Sequence, residues 1–342
     1  MQYRTLGASG LRVSRICLGM LSYGSTNFQP WLLGEADGRR FVRMALDHGV
    51  NFFDTADFYS SGESEAILGR AVGSFVERSQ VVIATKVGLP LRDGPNEGGL
   101  SRKHIFEAVD ASLKRLNTDY VDLLQMHTCD TVTPIEETLA ALDDVVRAGK
   151  ALYVGGSNFP AWRLAKAVYH TRHRGLAPVS CMQLQYNLAY REEEREMLPF
   201  CEAEGVGVTA YSPLARGLLA GNRANGAGGA VSDKERARAQ GDRKGQHLYG
   251  SEADWAIADR LRQVADGLGV SPARLATAWV ASKPVVSSII LGALEDHHLS
   301  EACAALDLTL DAEVLRALEE PYVAQTVKDE GFQQVTGRSK TP

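Results

Sequence analysis

The chain has 342 residues, enough for one large α/β domain or two ordinary ones, and 44% of them are hydrophobic, ample to bury a core. Against 42 acidic residues stand 37 Lys and Arg, a formal charge of −5. No basic excess is present, so nucleic acid and anionic membrane surfaces are poor candidates for partners.

Residues 3–13 hold two short strand-like pieces around Ala8-Ser9-Gly10, a hairpin signal suited to plugging one end of a barrel. Strand-like and helix-like runs then alternate. Runs rich in β-branched residues fall at 15–19, 51–54, 81–86, 120–126, 151–155, 181–185, 206–210 and 285–291, and apolar residues at helical spacing fall between them at 39–48, 64–72, 102–116, 135–148, 162–172 and 193–204. This alternation implies parallel strands joined by helical crossovers. Eight strands are the number that closes a (β/α)8 TIM barrel, usually about 250 residues long. An open doubly wound sheet is the alternative that periodicity leaves.

The surplus lies in the hairpin, in a long segment at 215–251 after the seventh strand, and in a C-terminal helix at 311–320. The long segment is rich in glycine and charge, including Asn225-Gly226-Ala227-Gly228-Gly229, and reads as a surface loop or as a lid. A single domain is expected over 1–325, followed by a mobile polar tail at 326–342.

The first fifteen residues lack the roughly 7 to 15 residue apolar core of a signal peptide, and no window reaches the roughly 18 apolar residues of a membrane span. Cys17, Cys129, Cys181, Cys201 and Cys303 are scattered, odd in number and without C-x-x-C spacing, as suits free thiols in a reducing compartment. A soluble cytoplasmic protein is expected.

In a parallel barrel the site is built at the C-terminal strand ends. The second strand ends at Asp54 with Tyr59 in the loop beyond it, the third at Lys86 and the fourth at His127. Each has an ordinary explanation alone: a turn cap, a loop aromatic, an exposed charge, a core histidine. Together they are harder to dismiss, because a lysine and an aspartate ending successive apolar strands are costly to bury unless paired. A tyrosine titrates near 10 in water, and the Lys86 ammonium would draw Tyr59 down toward a range where it exchanges a proton. Asp54 would hold Lys86, and a neutral His127 would bond a substrate oxygen. Such a set protonates a carbonyl oxygen. It offers no nucleophile with a paired base, and no metal site is expected, since His127 has no histidine at ligand spacing and His297-His298 are adjacent. Carbonyl reduction also needs a hydride, hence a redox cofactor.

The stretch Gly49-Val50-Asn51-Phe52-Phe53-Asp54-Thr55-Ala56-Asp57-Phe58-Tyr59, with Gly62-Glu63-Ser64-Glu65, Ala84-Thr85-Lys86 and the strand ending at His127, resembles the signature of the aldo-keto reductase superfamily. Tyr190-Arg191-Glu192 and Tyr211-Ser212-Pro213-Leu214-Ala215-Arg216-Gly217 resemble bacterial members of its aryl-alcohol-dehydrogenase-like and potassium-channel-β-subunit-like branches. The resemblance implies a (β/α)8 barrel that binds a nicotinamide dinucleotide and reduces an aldehyde or ketone to an alcohol, with Tyr59 as general acid and Asp54, Lys86 and His127 supporting it. It implies that Ser157, Asn158 and Gln183 hold the nicotinamide carboxamide, and that Tyr211 stacks on the ring. Gly19 and Met20 would line the ribose beside Asp54. Ser212, Leu214 and Arg216 would wrap the pyrophosphate, and Gly292, Ala293, His298 and Glu301 would meet the adenosine end. NADP(H) is the family expectation. NAD(H) is the alternative, because Gly292, Leu294 and Glu295 bring no positive charge to a 2′-phosphate, whereas Glu295 or Asp296 suits ribose hydroxyls. Channel β-subunits share the pattern, so a non-catalytic nucleotide-sensing subunit is the second reading. The partner is a small carbonyl or alcohol of open identity, as is the oligomeric state.

Overall fold

The computed structural model describes residues 1–221 and 232–327. The Asn225 to Gly229 run and nearly all of the expected tail lie outside the described residues.

Strands β1 (Tyr3–Thr5) and β2 (Arg12–Ser14) pair antiparallel as the expected hairpin. Its turn is pressed against the barrel: Ala8 N–H donates to the Gly205 carbonyl at 2.8 Å. Gly7 sits at φ +58°, where a Cβ would come within 2.3 Å of Gly205 O, so only glycine fits. Leu6 and Val13 continue the core of the barrel interior, packing with Cys17, Phe52, Val82, Ala84, Leu123, Cys181 and Ile290.

Eight parallel strands follow: β3 (Ile16–Gly19), β4 (Phe52–Asp54), β5 (Val82–Val87), β6 (Val121–Met126), β7 (Ala151–Ser157), β8 (Val179–Gln185), β9 (Gly207–Tyr211) and β10 (Val286–Leu291). They form a closed barrel, because β10 pairs with β3 at Ile289↔Ile16 and with β9 at Ile290↔Tyr211. The open sheet is thereby excluded. Helices α1 (Glu35–Asp47), α2 (Glu63–Phe75), α3 (Arg102–Leu116), α4 (Ile135–Arg147), α5 (Ala161–Arg174) and α6 (Met197–Glu204) cross between the strands. The local reasons are visible in α4, where Pro134 precedes the first turn, Glu136 and Glu137 face the positive end of the dipole, and Ile135, Leu139, Leu142 and Val145 are buried.

The long segment after β9 differs from the expected loop. Its described part carries α7 (Asp233–Gly241) and α8 (Arg243–Leu248), and α9 (Glu252–Leu268) and α10 (Pro272–Ala281) then lead to β10. Helix α7 has no apolar stripe; a capping box starts it, with Ser232 Oγ accepting from Glu235 N–H while the Glu235 carboxylate accepts from Ser232 N–H. Asp242 caps α8 by a single bond, its side chain accepting from Gly245 N–H at 3.0 Å. Helix α11 (Asp296–Ala305) follows β10, and the expected C-terminal helix is α12 (Ala312–Glu319), capped by Asp311. Among the described residues no helix is long and apolar enough to cross a membrane.

Candidate active site

Side chains alternate faces along a strand, so residues two apart share the barrel interior and lie about 6.6 Å apart along it. Phe52, Ala84, Leu123 and Cys181 belong to the interior core. Two residues further along stand Asp54, Lys86, Gln125 and Gln183. The stripe that packs the barrel therefore turns polar at the C-terminal end.

There the four expected residues come together. Lys86 Nζ donates to Asp54 Oδ2 at 2.6 Å, to the Thr55 carbonyl at 2.9 Å and to Tyr59 Oη at 3.0 Å, saturating its three donors. Asp54 Oδ1 accepts from Gln183 Nε2 at 2.7 Å and from Gln125 Nε2 at 3.3 Å. The His127 ring meets Tyr59 edge to face with centroids 5.6 Å apart. Burial works against the Lys86 charge, but Asp54 and Tyr59 outweigh it and raise the lysine above its ordinary value. Burial pushes the Tyr59 phenol upward, and Lys86 draws it only part of the way back. The sequence expectation of a lowered Tyr59 is thus corrected: in this chain desolvation is the larger effect. Burial, with Lys86 and Lys244 nearby, holds His127 well below the usual histidine range, so its ring is neutral near pH 7.

The loop bearing Tyr59 is wound tightly. Ser60 and Ser61 lie at φ 52° and 54°, and Gly62 at 92°. Left-handed backbone in non-glycine residues is a strained state that neighbours must hold. Ser60 Oγ does so by accepting from Ser25 N–H at 2.8 Å, which ties this loop to the one after β3.

The residues expected around a nicotinamide occupy the adjoining strand ends. Gly19 closes β3, and Met20 opens a single helical turn whose carbonyl accepts from Ser64 Oγ at 2.9 Å. Asn158 Nδ2 donates to Ser157 Oγ and to the His127 carbonyl, and Asn158 Oδ1 accepts from Tyr211 Oη at 2.8 Å. Gln183 Nε2 is held by Asp54. Beyond Tyr211, residues Ser212, Ala215 and Arg216 are all left-handed, and the turn with Leu214 is closed by Ala215 N–H to Ser212 O and Gly217 N–H to Leu214 O. Arg216 is held by Asp242 at 2.7 Å.

At the far end, Gly292 and buried Ala293 follow β10, and the Ala293 carbonyl accepts from Tyr23 Oη at 2.9 Å. His298 Nδ1 accepts from Leu294 N–H and Nε2 faces Glu235 Oε1 at 2.9 Å. This fixes the tautomer: Nε2 carries the proton and donates it to Glu235. Glu235, His297 and His298 place three potential ligand atoms within 4.8 Å. A metal on Nε2 would move the proton to Nδ1, against the Leu294 N–H, so the arrangement is a hydrogen-bonded clasp between α7 and α11. Glu301 is tied to Arg274 at 2.6 Å and to Ser271. Asp296 pairs with Arg40 of α1, which engages one of the two carboxylates expected to suit ribose hydroxyls.

Sequence reasoning missed the cation at this end. Arg238, on α7, donates to Ser22 Oγ at 3.2 Å, stacks over Trp31 and lies beside Gly292, where an added Cβ would be 3.5 Å from its Nη1. The Ser232-x-x-Glu235 capping box was the available signal for the helix carrying it. Gln125, two residues before His127 on β6, was legible from strand alternation alone.

A barrel whose polar rim carries Asp54, Tyr59, Lys86 and His127 defines a class, and comparison places the chain within it. The model of the aldo/keto reductase family matches residues 15–322, and the chain belongs to that family. It is 40% identical over 351 residues to a versiconal hemiacetal acetate reductase from Aspergillus parasiticus, covering 96% of this chain and 98% of the relative. A Schizosaccharomyces pombe protein named among the aryl-alcohol dehydrogenases is 37% identical, covering 96% and 97%. An Arabidopsis thaliana protein named as a probable voltage-gated potassium channel subunit beta is 38% identical, covering 100% and 99%. Both expected branches are represented. The expected bacterial affiliation is not supported, since these relatives are fungal and plant.

Proposed function

We propose that this chain reduces an aldehyde or ketone to an alcohol with a nicotinamide dinucleotide, and that the reaction is reversible. The observation that carries the reading is the Lys86 ammonium bonded at once to Asp54 and Tyr59 on the rim of the barrel. When bound, the nucleotide supplies the hydride. Tyr59 gives its proton to the carbonyl oxygen, and Lys86 stabilises the phenolate left behind. Asp54 keeps Lys86 charged and oriented, and neutral His127 donates a hydrogen bond to the same oxygen. Residues that fit the nucleotide are Gly19, Met20 and Asp54 at the ribose, Ser157, Asn158, Gln183 and Tyr211 at the nicotinamide, Ser212, Leu214 and Arg216 at the pyrophosphate, and Gly292, Ala293, His298 and Glu301 at the adenosine end. Asn158, now bonded to Tyr211 Oη, would be free to bond the carboxamide if that contact were released.

Arg238 supports NADP(H) as the cofactor, because it brings to the adenosine end the charge that the residues after β10 lack. One catalytic unit over residues 1–325, acting in the cytoplasm on a small carbonyl compound, completes the reading; no disulfide joins any of the five cysteines.

Fluorescence titration with NADPH and NADH, followed by a carbonyl substrate panel, tests it. Tyr59→Phe is expected to lower kcat by about 10²- to 10⁴-fold with unchanged nucleotide affinity. Wild-type turnover in that variant overturns the role of Tyr59, tighter NADH binding overturns the cofactor, and tight binding without turnover of any carbonyl favours the non-catalytic nucleotide-sensing subunit instead.

A further inference from the structure

Asp57 is fully buried, two residues before Tyr59, and neither carboxylate oxygen meets a donor in hydrogen-bonding geometry. Its surroundings are short of positive charge. From α2, Glu65 faces it, also fully buried, and already accepts from Thr85 Oγ1 and, at 2.7 Å, from Arg115 Nε. From α3 comes Arg115, whose guanidinium packs beneath Gly62, and from β5 comes Lys86, whose donors are spent on Asp54, Thr55 and Tyr59. Two buried carboxylates thus share one arginine. An ionised carboxylate that no side-chain donor reaches, with only the neighbouring Phe58 N–H close by, is far more costly in such a site than the neutral acid.

The backbone shows what this residue holds. Thr55 N–H donates to the Ala84 carbonyl at 2.9 Å and Asp57 N–H donates to the Lys86 carbonyl at 3.2 Å. Residues 55–58 therefore hang on β5 by two bonds and set the position of Asp54 at one end and Tyr59 at the other.

We propose that Asp57 is a positioning residue that acts as an un-ionised acid, seating residues 55–58 against β5 so that Tyr59 and Asp54 both reach Lys86. Burial and Glu65 push its carboxyl up to about 8, against Arg115, the neighbouring Phe58 N–H and Lys86 acting the other way. Above that range the charge draws in water, the segment leaves β5, and the three-way contact at Lys86 loosens. In the unfolded chain the group ionises near the ordinary 3.9. The folded state binds the extra proton between about 4 and about 8, so stability falls as pH rises through that window.

The test uses Asp57→Asn, a neutral near-isostere, in two assays. In the pH profile of kcat/KM, which rests on the reductase reading, wild type is expected to lose activity above pH about 8, while the variant keeps its neutral-pH value within about threefold and sustains it until Tyr59 itself titrates. In thermal melts, which do not rest on that reading, the wild-type Tm is expected to fall relative to the variant between pH 5 and 9. An alkaline limb shared by both proteins overturns the positioning role, as does a folded variant inactive at every pH; parallel Tm curves overturn the un-ionised state. Carbon NMR of wild type carrying labelled aspartate, in which one carboxyl titrates near 8 rather than near 4, decides the protonation state even if the variant does not fold.

Discussion

Arg216 Nη1 sits 2.7 Å from each carboxylate oxygen of Asp242, so an arginine on the turn after β9 is held by the residue that caps α8. Asp242 is buried, and Arg216 together with the Gly245 N–H holds its carboxyl below the ordinary carboxylate range despite burial. A depressed carboxylate contributes stability that is present above the unfolded value near 3.9 and is lost as pH falls through the folded one. The pair therefore persists at neutral pH and opens in acid. Asp242→Asn is expected to cost about 3 kcal/mol by chemical denaturation and to speed nucleotide release in stopped-flow fluorescence by about tenfold. An unchanged release rate would show that the contact has no part in retaining the nucleotide.

Removing the charge at Lys86 should injure folding and not only turnover. Lys86→Met leaves Asp54 buried without its cation, at a cost of about 3 to 5 kcal/mol. Adding Asp54→Asn removes the stranded charge and should restore at least half of the lost stability in urea melts. Wild-type Lys86 contributes in a pH-dependent way: its raised value keeps its contribution complete below about 10.4, and the contribution fades as pH rises through the folded value.

Arg238 is the residue on which the choice of cofactor should turn. With Arg238→Gln, NADPH affinity is expected to fall about tenfold to hundredfold, equivalent to about 1.4 to 2.8 kcal/mol, while NADH affinity changes little. Equal losses for the two nucleotides would assign Arg238 to holding α7 against Trp31 and not to a phosphate.

His127 should stay neutral where most histidines gain charge. Burial and the Lys86 and Lys244 charges both lower it, so in a pH titration followed by NMR its ring signals are expected to remain fixed from pH 8 to below 6. His127→Gln should then introduce no new step in the pH profile of kcat/KM between pH 6 and 8. A ring titrating near 6.5 would make His127 an alternative proton source.

Much of this architecture is legible without coordinates, for a physical reason. Parallel strands buried on both faces write short β-branched runs, and Asp54, Lys86 and His127 are conspicuous because each ends such a run. Tyr59 was placed by the loop that follows. Helices α7 and α8 were not legible, since Asp233 to Gly241 holds charged residues, two alanines, a glutamine and a glycine but no large apolar side chain, and hydrophobic periodicity has nothing to register there; end caps start those helices. Arg238 was missed for the same reason, and because it lies far along the chain from the residues after β10 that it approaches. The protonation of Tyr59 was misjudged because a sequence displays its charged neighbour but not how completely the site excludes water.

The segment between β9 and α9 is tied within itself by Asp242 on Arg216, and it touches the rest of the protein through Arg238 on Ser22 and Trp31, Glu235 on His298 and Tyr249 on Gln185. None of these contacts involves Asp54, Tyr59, Lys86 or His127. On the proposed reading, dinucleotide preference would rest on Arg238 of α7 and proton transfer on the strand ends, which lie in separate stretches of the chain. A graft of α7 alone, which carries Arg238 and leaves Lys244 of α8 beside His127, is then expected to exchange one coenzyme for the other with the reacting strand ends unchanged.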